Sequence, residues 1–181
     1  MAVISISGPD ARKFLQGQLT CDLNLLSETH SLRAAHCNLK GRVEALYAIS
    51  MQGDVIKLHT PDDVAEHAFK HLQPYARFSK VTLDLVLTGE KMDEATRIAE
   101  IQSGIARLHP DTVGRFLPQE LGLVELGVVD FKKGCYLGQE IVARLHYLGK
   151  LKKKFMYQHL HGKTEGLEIV DACGEHALVL I

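Results

Sequence analysis

The run from Ser31 to His59 constrains this chain most. Ser31 to Cys37 reads as a strand, Asn38-Leu39-Lys40-Gly41 as a turn, and Arg42 to Ser50 as the returning strand. Gln52-Gly53-Asp54 then turns the chain again into Val55-Ile56-Lys57-Leu58-His59. Upstream, Val3, Ile4 and Ile6 form a short strand that stops at Gly8-Pro9. Asp10 is placed to cap a helix with Ala11, Phe14, Leu15 and Gln18 on one face. Thr60-Pro61-Asp62-Asp63 predicts a second helix, with a Thr cap, Pro at its first position and a stripe of Val64, Ala68, Phe69 and Leu72. Pro74 is expected to close it, and Val81 to Leu87 alternates as a half-buried strand. Short hairpins with interspersed helices predict an α+β fold of mostly antiparallel sheets with flanking helices, rather than a doubly wound parallel sheet.

Further on, Asp93 to Ile101 reads as a helix, Gly104 to Leu123 as loop with short elements, and Gln139 to Leu148 as a helix ended by Gly149. Lys150 to Leu160 reads as a basic strand, and Gly166 to Ile181 is weakly patterned until its last five residues. The 181 residues suffice for one sizeable domain or two small ones. The expected division is 1–88, 89–149 and 150–181.

A net charge of −1 gives no global pointer to nucleic acid or to an anionic membrane. No apolar run approaches the about 18 residues that span a bilayer. The N-terminal MAVISISGPDARKF lacks the basic start and long apolar core of a secretory signal. Cys21, Cys37, Cys135 and Cys173 form no C-x-x-C pair. A cytoplasmic setting is expected.

Lys132-Lys133-Gly134-Cys135-Tyr136-Leu137-Gly138-Gln139-Glu140 sets one thiol between two glycines, with lysines before it and an acid after it. Gly134 permits a positive φ before the cysteine, and Gly138 can do the same before the helix. Backbone N–H groups of such a turn, the positive helix end and the lysines would favour a thiolate if they converge. The alternative is a small buried cysteine in a strand-to-helix turn.

This stretch resembles the K-G-C-Y-T-G-Q-E signature of the YgfZ-type folate-binding proteins, relatives of the glycine-cleavage aminomethyltransferase. The likeness continues through Ile141-Val142-Ala143-Arg144 and Tyr147-Leu148-Gly149-Lys150. Phe14-Leu15-Gln16-Gly17-Gln18-Leu19-Thr20-Cys21-Asp22, Asn38-Leu39-Lys40-Gly41-Arg42 and Phe116-Leu117-Pro118-Gln119-Glu120-Leu121-Gly122-Leu123 are similar to three further family motifs, in family order. The resemblance implies an aminomethyltransferase-like folate-binding fold with a reduced second domain and only a remnant of the C-terminal barrel. It implies a tetrahydrofolate-type ligand in a central cavity, and a role in making or repairing iron–sulfur enzymes, including those that thiolate tRNA.

Cys135 is then the expected functional thiol, supported by Lys133, Gly134, Gly138 and Gln139. Glu120 is expected on the pterin edge, where a carboxylate can accept two parallel N–H bonds. Tyr136, Gln139, Arg144 and Arg42 complete the expected folate contacts, the arginines facing its carboxylates. Tyr136 either stacks on the pterin or fills the core. Leu137 departs from the family's Thr and removes a hydroxyl beside the thiol. Ala45 stands where aminomethyltransferases carry a second acid, which argues against aminomethyl transfer. A one-carbon transferase and a non-catalytic protein-binding scaffold remain the rival readings. No permanent metal is expected: His67 and His71, four apart on the second helix, lack a third ligand, and His159 and His161 are read the same way. Lys150, Lys152, Lys153 and Lys154 are read as a solvated strand end rather than an RNA contact.

Overall fold

The computed structural model describes residues 1–162 and 164–181. Strand β1 (Ala2–Ser7) buries Ala2, Ile4 and Ile6 and half-exposes the residues between, the period-2 pattern of a strand with one face on a core. It lies between β4 (Val55–Thr60) and β5 (Thr82–Leu87), with Ile4 opposite Leu58 on one side and Leu85 on the other. Strands β2 (Leu32–Cys37) and β3 (Val43–Gln52) complete a five-stranded sheet in the order β2-β3-β4-β1-β5, antiparallel at every pairing. A second sheet, β6-β8-β7, is built from β6 (Phe155–His159), β7 (Glu168–Cys173) and β8 (His176–Leu180). It is antiparallel and does not close into a barrel. The α+β, mostly antiparallel fold class is the one observed.

Among the described residues two large apolar cores result, with a small third cluster at Leu160, Ala177 and Val179. In the first, helices α1 (Ala11–Gln16) and α2 (Asp62–Ala76) supply Phe14, Leu15, Ala68 and Leu72 against Ile4, Ile6, Tyr47, Ile49 and Leu58. Each such fully buried aliphatic side chain contributes about 1.5–3 kcal/mol. In the second, Ala35, Cys37 and Val43 meet Ile101 of α3 (Glu94–Gln102), Val142 of α4 (Gln139–Leu148) and Leu178 of β8. There Phe116 and Phe155 meet edge to face at 5.0 Å. The β2–β3 hairpin thus belongs to both cores and joins them.

Several local expectations are corrected. Thr60 is the last residue of β4 and Pro61, in an extended conformation, is the N-cap of α2. That helix runs two residues past Pro74, which lacks the N–H for its own backbone bond, and ends at Ala76. Asp10 does not cap α1 with its side chain; its carboxylate accepts from the Lys80 N–H at 2.8 Å. The basic strand expected over 150–160 shrinks to Phe155–His159, since only Phe155 and the residues after it find a partner in β8. The weakly patterned tail instead forms two strands, turning at Gly174 with φ 58°.

Candidate functional site

The hairpin turn at 38–42 is held by its own first residue. The Asn38 side-chain oxygen accepts from the Lys40 N–H (2.9 Å) and the Arg42 N–H (3.1 Å). This is an Asx-type turn, and Gly41 takes its left-handed position with φ 71°. Gly138, the N-cap of α4 with φ 79°, docks directly onto it. A Cβ on Gly138 would fall 2.3 Å from the Asn38 carbonyl oxygen, and one on Gly41 would fall 3.0 Å from Ile141 Cβ. Two motifs separated by about a hundred residues in sequence therefore meet through two glycines that tolerate no side chain.

The thiol loop is also stitched to the chain after α1. Leu137 N–H donates to Gly17 O (3.1 Å) and Asp130 N–H to Thr20 O (2.9 Å). Lys133 donates through Nζ to the carbonyls of Gln16 (2.6 Å) and Leu19 (2.5 Å). Its ammonium lies 5.2 Å from the centre of the Tyr136 ring. Burial pushes the Lys133 pKa down to about 8, opposed by Cys21, Asp22 and Asp130 nearby. The lysine thus serves carbonyls at and just after the end of α1, whereas the expectation places it in support of Cys135. Gln139 closes the loop: its Oε1 accepts from the Tyr136 N–H at 3.4 Å and its own N–H donates to Tyr136 O at 3.2 Å.

Cys135 is exposed at the top of this loop, while Cys21 and Cys37 are buried and Cys173 is half-buried. Burial pushes the Cys21 thiol up to about 11 and the Cys37 thiol up to about 12. Gly134 does not use a positive φ, and an added Cβ there would meet nothing within 4 Å. The expectation for Gly134 is corrected: the tight turn is made at Gly138 alone. Tyr136 is placed in the core, 6% exposed, and burial raises its phenol pKa. Arg144 is exposed and reaches Glu140 one turn back at 3.4 Å.

Glu120 and Arg42 are brought together. Glu120 Oε2 accepts from the Leu117 N–H (2.7 Å) and from Arg42 Nη1 (3.3 Å), and Arg42 Nη1 also donates to Arg115 O (2.6 Å). Gln119 sends its Nε2 to Val142 O at 2.7 Å, tying the same segment to α4. Ala45 is buried in the first core, whereas Glu44, on the other face of β3, is held by Asn38 Nδ2 (2.5 Å) and lies 2.8 Å from His67 Nε2. His71 Nδ1 lies 3.3 Å from His36 Nδ1, and burial pushes the His36 pKa down to about 3. Among the described residues no group of three His, Cys, Asp or Glu side chains is arranged to hold a metal ion. No described helix is long and apolar enough to cross a membrane.

A cavity of about 280 Å³ opens elsewhere, between the β2–β4 part of the sheet and the segment that follows α3. Leu46, Ala48, Val64, Leu108, Leu123 and Val128 give it apolar walls; Arg33, Glu100 and Arg107 give it charge. Glu100 accepts from Arg33 Nη2 at 3.0 Å, Arg97 Nη1 at 3.2 Å and Arg107 Nη2 at 3.5 Å. Behind them Arg97 pairs with buried Asp171, which also accepts from the Arg107 N–H. Three guanidinium groups against two carboxylates leave this end of the cavity net positive. None of Cys135, Lys133, Glu120, Tyr136, Gln139, Arg144 or Arg42 lines the cavity. Sequence reasoning missed Arg33, Glu100 and Arg107; they lie in three separate elements, and only folding brings them together.

No model of a known protein family matches the chain. Over 83% of its length it is 30% identical to a protein named tRNA-modifying protein YgfZ from Colwellia psychrerythraea, covering 66% of that relative. It is 32% identical to an uncharacterized protein of Haemophilus influenzae, covering 83% of this chain and 68% of the other. A tRNA-modifying protein YgfZ of Cronobacter sakazakii is 27% identical, with 89% and 69% covered. The chain thus spans about two thirds of the length of these relatives. Its fold is that of the glycine cleavage system aminomethyltransferase T from Bartonella henselae, with a TM-score of 0.77 at 10% identity over 99% of this chain and 75% of the other. By its sequence, this chain belongs to the YgfZ family.

Proposed function

We propose that the chain is a folate-binding accessory protein, working in the cytoplasm in iron–sulfur cluster assembly or repair and thereby in tRNA modification. The observation that carries the reading is the cavity of about 280 Å³ with apolar walls and a net positive end. Small-molecule pockets begin at about 300 Å³, so this one suits a heterocycle with its tail outside. A tetrahydrofolate fits that description. Its ring would lie against Leu46, Val64, Leu108 and Leu123. Glu100 is a carboxylate within reach of ring N–H donors, and half-exposed Arg33 is placed to meet a glutamate carboxylate.

In this reading Cys135 is the reactive thiol, held out to solvent by a loop anchored through Lys133, Gly138 and Gln139. Glu120 and Arg42 latch the hairpin turn to the 116–120 segment, and Glu120 keeps Oε1 free of protein hydrogen bonds among the described residues. The name of the relatives supports the tRNA-modification part of the proposal.

Isothermal titration with tetrahydrofolate tests the reading. Wild type is expected to bind, and Ala48→Phe, which fills the cavity, to lose at least about tenfold in affinity. Cys135→Ala is expected to bind folate normally while failing to sustain iron–sulfur enzyme activity in cells. No heat from wild type, or unchanged affinity in Ala48→Phe, would overturn the folate assignment.

A further inference from the structure

From Phe131 to Lys154 the chain carries seven Lys and Arg residues against one acid, Glu140, in a protein of net charge −1. Strand β6 starts only at Phe155, so Lys150, Lys152 and Lys153 sit outside any strand and are exposed. They follow the C-terminal end of α4, where apolar rings and side chains are also uncovered. Tyr147 is 66% exposed and Leu148 84% exposed. The Phe131 and His146 rings stack at 4.0 Å with 13° between planes, and Tyr147 meets them at 5.8 and 4.8 Å.

The counter-charges are few. Glu140 lies 3.4 Å from Arg144, Glu168 3.2 Å from Lys153 and Glu125 2.5 Å from Lys154. Asp130 is occupied by the N–H groups of Lys132 and Lys133. Among the described residues Lys132, Lys150 and Lys152 form no ion pair. An acidic peptide would answer the charge and leave the rings bare. A strand with a phosphate at each step and an unstacked base beside it answers both.

We propose that the aromatic and basic surface formed by Phe131, His146, Tyr147, Lys132, Lys150 and Lys152 binds single-stranded nucleic acid, lysines on phosphates and Tyr147 under a base. This goes beyond the folate reading, which requires no direct contact with a polynucleotide.

Fluorescence anisotropy of the full chain with a labelled oligouridylate and its deoxy counterpart tests it; tighter binding of the ribo form identifies RNA as the ligand, and equal binding extends the site to DNA. For about three phosphate contacts the log of the affinity should fall with log salt at a slope of about −2. The K150E/K152E variant should lose at least about tenfold and flatten that slope. Tyr147→Ala should lose about tenfold with the slope unchanged. Lys70→Glu, one such charge reversal placed on α2, should leave binding as it was. Tetrahydrofolate titration of the same variants should match wild type, which keeps failure here distinct from failure of the folate reading. No anisotropy change at low salt, equal losses in Lys70→Glu, or a dimer in sedimentation that Tyr147→Ala dissociates would overturn the proposal.

Discussion

The thiol loop and the cavity are built in opposite ways. The loop is a short run of sequence whose side chains mostly turn inward to hold backbone: Lys133 on two carbonyls, Gln139 on its own turn, Gly138 against the hairpin. What it leaves outside is the Cys135 thiol, with Lys132 and Gly134 exposed beside it. The cavity is assembled from strands, a helix and a loop far apart in the chain, and its charged groups hold one another. A motif that looks chemical can therefore be mostly a joint, while a site for a ligand can lack any motif.

The contrast can be broken by substitution, with urea denaturation as the common measurement. Arg97→Met removes the partner of Asp171, whose side chain is 1% exposed, and should cost about 3–5 kcal/mol. Gly138→Ala should cost about 3 kcal/mol, from a left-handed φ and a contact at 2.3 Å with the Asn38 carbonyl. Lys133→Met strands two carbonyls and should cost about 2 kcal/mol. Gly134→Ala, in the same motif, should change stability by less than about 1 kcal/mol, since its φ is not left-handed and space is open. Equal losses at Gly134 and Gly138 would erase the distinction between joint and exposed tip.

The smallest expected effect is on pH dependence. Lys133 titrates at about 8 in the folded chain against 10.5 when free, so above pH 8 the unfolded chain binds more protons and stability rises with pH. Cys21, raised from 9.0 to about 11, works in the opposite sense above pH 9. Between pH 8 and 9 wild type should therefore gain stability relative to Lys133→Met, and a flat difference would remove the burial argument for Lys133.

Local patterning made the first sheet legible. β1 and β3 alternate, β5 does so over its first four residues, and the neighbouring turns carry Gly8, Gly41 and Gly53. The tail strands were harder to read because their partners are each other: Glu168–Cys173 is largely solvent-facing and gains its form from β8. The direction of the Lys133 side chain is not legible, because sequence shows a charge beside a thiol but not which way the side chain turns. Arg33, Glu100 and Arg107 carry no local signal, and their association exists only after α3 packs near β2.

The most direct test of the account is the order in which the four cysteines of the native chain react with iodoacetamide, followed by peptide mass spectrometry. Cys135 should be modified first, Cys173 next, and Cys21 and Cys37 only on unfolding. A Cys135 as protected as Cys37 would contradict the claim that the loop leaves that sulfur in water.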